Sequence, residues 1–141
     1  MLAVTVLHNV GEGMFFPFEP ATASLHHAHT FQIVADSPNQ AADVMFQLCN
    51  LDPSEVSPLY RPQVVDYRRR MNRSLSVGDV LLMHELEPGA DAKDLRVAGV
   101  VACNIVGWQG LEYVPEFEDG SNHHPQSASY LAHQARFTKQ N

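Results

Sequence analysis

Cysteine is scarce in this chain: Cys49 and Cys103 are the only two among 141 residues, and each stands inside an apolar segment. Two thiols cannot build a disulfide framework or a paired Cys-x-x-Cys metal motif, and their settings suit buried, reduced side chains. A chain of this length needs no such staple, because one core can bury most of the surface its unfolded form exposes. Basic residues are also few, nine Lys and Arg against sixteen Asp and Glu, a formal net charge of −7. That balance argues against general binding to nucleic acid or a membrane surface. No apolar run is long enough to span a bilayer. Met1–His8 alternates apolar with polar residues and has no basic n-region, so a cytoplasmic protein without a signal peptide is expected.

Enzyme signatures are missing too. There is no nucleophile elbow and no H-E-x-x-H, and Gly107-Trp108-Gln109-Gly110 has the wrong spacing for a phosphate loop and no lysine. The carboxylates Glu85 and Glu87 fall at an edge or loop, where solvated charge is the simpler reading. A non-enzymatic protein without a cofactor is therefore expected. Internal repeats are absent.

What is present defines an α+β domain. Residues 2–8 and 30–35 alternate as strands, the second extendable backwards through the preceding histidines. Between them, residues 9–20 hold two glycines and two prolines, which forbid regular structure, and three phenylalanines, which ask for burial. Ser37-Pro38-Asn39-Gln40 announces a helix, with Ser37 as N-cap, Pro38 in the first turn and Gln40 closing a capping box. Ala41, Val44, Met45 and Leu48 then form one apolar face to about residue 49. Residues 62–70 suit a second short helix. Strands are expected at 80–84, at 95–106 as a central strand buried on both faces, and at 111–114. The fold expected is a mainly antiparallel sheet of four or five strands with the 38–49 helix packed on it. Residues 1–115 form the domain. Residues 116–141 read as a polar linker and tail, with a short docking helix near 127–137.

Two clusters invite chemistry. In His26-His27-Ala28-His29, an extended backbone puts His27 and His29 on one face roughly 6–7 Å apart, within reach of one zinc ion, with His8, Glu12, Glu19 or His84 as a third ligand. The alternative is partly exposed histidines with no ligand. Arg61, Arg68, Arg69, Arg70 and Arg73 gather five of the nine basic residues into thirteen positions. Guanidinium groups suit planar recognition of phosphate or carboxylate and stacking, with Trp108 as an aromatic partner. The alternative is internal pairing with the acidic stretches 85–94 and 116–119.

The run from Val65 to Val80, with Asn72-Arg73-Ser74-Leu75-Ser76-Val77-Gly78-Asp79-Val80 at its core and Gly107-Trp108 further on, resembles a family of small proteins from actinobacteria, their phages and plasmids. It is more distantly similar to the YodL-like domains of mobile elements. The resemblance covers residues 41–112 and is most specific over 73–80. It implies origin and context, a bacterial, phage or plasmid setting, and because the family has no established activity no catalytic residues carry over. The long 85–96 loop and the tail after Pro115 depart from the family pattern. Within the motif, Arg73 can bond carbonyls or an acidic partner, Ser74 and Ser76 can satisfy the turn amides, and Gly78 permits positive φ. Three functions follow in order: binding another protein, binding a nucleotide or nucleic acid through the arginines, and metal-dependent catalysis at His26, His27 and His29.

Overall fold

The structure is a computed structural model that describes residues 1–70, 72–86 and 95–118. The acidic stretch 87–94 and the tail helix expected near 127–137 lie outside the described residues. The chain forms an α+β fold: β1 (Leu2–Asn9), β2 (Leu25–Ile33), α1 (Pro38–Asn50), α2 (Arg61–Arg69), β3 (Val80–Glu85), β4 (Val97–Asn104) and β5 (Gly107–Gly110). The five strands make one antiparallel sheet in the order β2-β1-β3-β4-β5.

The alternation read in β1 serves two cores rather than one. Val4 and Val6 face α1 and α2, with Phe31, Ile33, Met45, Tyr67, Leu81 and Met83. Leu7 faces the opposite side, with Leu25, Val80, Leu82, Val100 and Ala102. Every residue of β1 is consequently buried. α1 begins as its sequence dictates: the Gln40 amide donates to Ser37 Oγ at 3.1 Å, and Gln40 Oε1 accepts from the Asp36 amide at 2.6 Å. Its far end is held by Arg68, whose guanidinium donates to the Cys49 carbonyl at 2.6 Å.

The second face is closed by residues 111–118, which changes the expectation for the last strand. The final strand is Gly107–Gly110, not 111–114, and the ladder stops at the Leu111 amide bond to the Val100 carbonyl. Leu111, Tyr113, Val114 and Phe117 instead pack on the second core. Pro115, which cannot donate to a ladder, suits such a crossing. The segment runs from the β5 edge to the β2 edge, where the His27 amide donates to the Glu118 carbonyl and the Glu118 amide to the Leu25 carbonyl, both at 2.8 Å. Packing onto the sheet thus extends past Pro115 to Glu118. The expected 95–106 strand spans 97–104 and lies second from the edge, while β3 is central.

The loop after β1 also departs from expectation. Phe18 is buried as anticipated, but Phe15 and Phe16 are exposed. Phe15 has φ +70, a left-handed conformation that costs an L residue about 1–2 kcal/mol. The turn around it is fixed by the Met14 amide on the Gly11 carbonyl and the Phe16 amide on the Gly13 carbonyl. Its carbonyl neighbour, Phe16 O, presses on Gly78, which has φ +92 and no room for a Cβ. Gly78→Ala should therefore lose more than the about 1–3 kcal/mol of a strained backbone alone, whereas Gly11→Ala, at φ +76 in open space, should lose only the backbone part. Urea midpoints of the two variants check this, and equal losses would contradict it.

Candidate functional site

The polar residues gather around Asp79, a wholly buried carboxylate at the entry to β3. Arg73 grips it in a fork, Nη1 to Oδ2 at 2.7 Å and Nη2 to Oδ1 at 2.8 Å. The Asn9 amide donates to Oδ1 and the Ser76 amide to Oδ2, both at 2.8 Å. His8 Nδ1 meets Oδ2 at 3.1 Å. Two charge-assisted bonds, two amides and an imidazole thus surround one side chain. Burial pushes the carboxyl's pKa up, but the bonds from His8, Arg73 and Asn9 outweigh it and hold it below the usual range.

The network continues through His8, whose Nε2 meets the Tyr67 hydroxyl at 2.9 Å. That hydroxyl donates to the Arg73 carbonyl, and Arg73 Nη2 donates to the Asn9 carbonyl at 2.9 Å. β1, α2, the 72–79 loop and β3 are thereby tied at one point. A carboxylate, an imidazole and a phenol in series have the composition of an acid–base relay. Here no reacting atom is open to a substrate: Tyr67 and Asp79 are fully buried and His8 is 6% exposed. Burial, reinforced by Cys49, raises the Tyr67 phenol's pKa, which keeps it protonated. Burial also pushes the Cys49 thiol up to about 12 and the Cys103 thiol up to about 11, so neither is a nucleophile at neutral pH. The two cysteines are free and buried.

The five arginines do not converge. Arg61 donates to the Pro53 carbonyl at 2.9 Å and the Val56 carbonyl at 3.1 Å, Arg68 caps α1, and Arg73 grips Asp79. Arg70 lies 3.4 Å from Asp66 one helical turn earlier. Arg69 is exposed and borders a cleft of about 440 Å³ with Pro58, Arg61, Pro62, Val65 and Asp66. Trp108 is distant from this cluster in role: its indole donates to Asp43 at 3.1 Å and stands edge-on to Phe46, closing β5 against α1.

The histidines are separated by a β-bulge. The β1–β2 register shifts so that Val6 faces His29 and Leu7 faces His27, which breaks the alternation assumed for an extended strand. His29 accordingly stacks edge-on to Phe31 and Tyr67 on the helix side, while His27 bonds to Thr30 at 3.1 Å. His26 lies 3.6 Å from Glu118. His8, proposed as a third ligand, belongs to the Asp79 network. Among the described residues no three His, Cys, Asp or Glu side chains are grouped to hold a metal ion.

Sequence alone does not single out Asp79 and Tyr67, and the turn amide of Ser76 is satisfied by Asp79 rather than by a serine hydroxyl. The usable signal was an Asp immediately before an apolar strand, six residues after an Arg. A small antiparallel α+β domain with a buried carboxylate lock is the class that fold and network define. No protein-family model, curated protein or solved structure matches the chain.

Asp79→Asn should destabilise by about 1–3 kcal/mol at neutral pH, because its NH2 group would face N–H donors where a carboxylate oxygen now accepts from Arg73 and a backbone amide. Because the folded carboxyl titrates below its ordinary value of 3.8, its contribution is full above that pH and is lost as pH falls through the folded value. Acid denaturation of the variant should therefore show a shallower fall below pH ~4 than the parent. Tyr67→Phe should cost about 1–3 kcal/mol by leaving the Arg73 carbonyl unpaired. Denaturant melts across pH measure both; an unchanged acid limb in Asp79→Asn would contradict the assignment.

Proposed function

We propose that the protein is a non-enzymatic accessory module that acts by binding another protein. The observation that carries this reading is a division of labour among side chains. The groups with chemical potential, namely Asp79, His8, Tyr67, Cys49 and the heads of Arg61, Arg68 and Arg73, are engaged inside the domain. Large apolar side chains stand outside it at two loops: Phe15 and Phe16 are 56% and 66% exposed, Ile105 and Val106 76% and 95%. Exposed apolar groups of this kind cost solubility and favour an interface. A bacterial or mobile-element setting, which the resemblance of residues 73–80 implies, is part of the proposal.

A second reading, nucleotide or nucleic-acid binding, draws its support from Arg69 at the end of α2 and Arg70 just after it, both exposed, and from the cleft that Arg69 shares with Arg61. Immobilised full-length protein should enrich one polypeptide at near-equal stoichiometry from nuclease-treated lysate of the organism that encodes it. Capture of nucleic acid alone, lost steeply as salt rises, would favour the second reading. Enrichment of nothing would contradict the first.

A further inference from the structure

Phe15 and Phe16 lie on one loop and Ile105 and Val106 on another, yet the fold brings the two loops to one end of the sheet. The Gly78 amide donates to the Cys103 carbonyl at 2.9 Å, at the root of the β4–β5 turn. The other side of Gly78 is pressed by the Phe16 carbonyl oxygen. The tight 76–79 turn thus sits between two apolar ridges. Phe15 is held in its left-handed conformation with its ring 5.4 Å from the Arg73 guanidinium, and Arg73 is itself fixed by Asp79. A strained, exposed aromatic anchored from beneath is a preorganised contact, which binds with less ordering cost than a mobile one.

The charge around this end has one sign. Residues 9–24 and 97–111 contain no Lys or Arg, Glu12 and Glu19 flank the phenylalanine pair and are exposed, and the chain carries −7 overall. Arg73, whose guanidinium stands beside Phe15, is paired with Asp79. We propose that Phe15, Phe16, Ile105 and Val106 form a docking surface for a cationic amphipathic segment of another protein, its apolar side seated on the two ridges and its Lys or Arg side chains facing Glu12 and Glu19. The proposal rests on the protein-binding reading above and specifies the partner's chemistry.

The test uses the full chain and two labelled 14-residue peptides, one of Leu and Lys and one of Leu and Glu, each amphipathic as a helix, with binding read by fluorescence anisotropy. The Leu/Lys peptide should bind and the Leu/Glu peptide should not. Both Phe15→Ser/Phe16→Ser and Ile105→Ser/Val106→Ser should weaken the Leu/Lys peptide at least ten-fold; each variant keeps the charge, and circular dichroism confirms that it folds. Equal binding to the variants would show attraction by charge alone and overturn the surface, as would no binding to the parent protein. A concentration-dependent dimer, or binding to phosphatidylcholine vesicles, that the phenylalanine variant abolishes would overturn it in favour of a second copy or a lipid surface. If the variants still capture the lysate partner at full yield, protein binding stands and this surface alone falls.

Discussion

Asp79 sits where water does not reach, and a carboxylate there is expensive to leave alone; Arg73 reaches it from the surface, its side chain still 28% exposed. Removing the carboxylate from water offsets much of the attraction between the two, so the pair adds little net stability compared with an apolar replacement of the same shape. Its effect is on specificity. Asp79 can be satisfied only when the Asn9 amide, the Ser76 amide, His8 and the Arg73 fork all arrive together. Any other path for the 72–79 loop strands a buried carboxylate. The end of β1, the entry to β3 and the Phe15 turn are therefore placed by one requirement.

The same logic of satisfying backbone and charge protects the sheet's β2 edge, whose outward groups would otherwise template another strand. Gln63 mimics a neighbouring strand, accepting from the Gln32 amide at 2.7 Å and donating to its carbonyl at 2.8 Å. Tyr60 accepts from the Val34 amide, Asn72 donates to the Ala28 carbonyl, and Glu118 pairs beside His26. α2 thus covers this edge, while Arg61 and Arg68 bond to carbonyls and Arg70 pairs with Asp66.

Much of the architecture was legible because local rules dominate it. The Ser37-Pro38-Gln40 start of α1, the alternation of β1 and the turn at Gly78 each follow from a few neighbouring residues, and the structure has them where the sequence puts them. Long-range satisfaction was not legible. Whether Asp79 is a solvated turn residue or the centre of a buried network depends on His8 and Asn9, some seventy positions earlier in the chain. A single-residue bulge sends His27 and His29 to different faces, and period-two reasoning has no means of placing it. Phenylalanines in a loop ask for burial because aromatics usually are buried, but Phe15 and Phe16 are exposed, in a turn whose placement depends on the distant Gly78 and Arg73.

The central claim is that Arg73 and Asp79 act as one unit in holding this end of the domain. A double-mutant cycle with Arg73→Met and Asp79→Asn, read as unfolding free energies at neutral pH, tests it most directly. A coupling of about 2 kcal/mol or more, with the double variant no less stable than Asp79→Asn alone, is the result expected. Effects that add to within about 0.5 kcal/mol would mean that the two residues contribute independently, and would contradict the account.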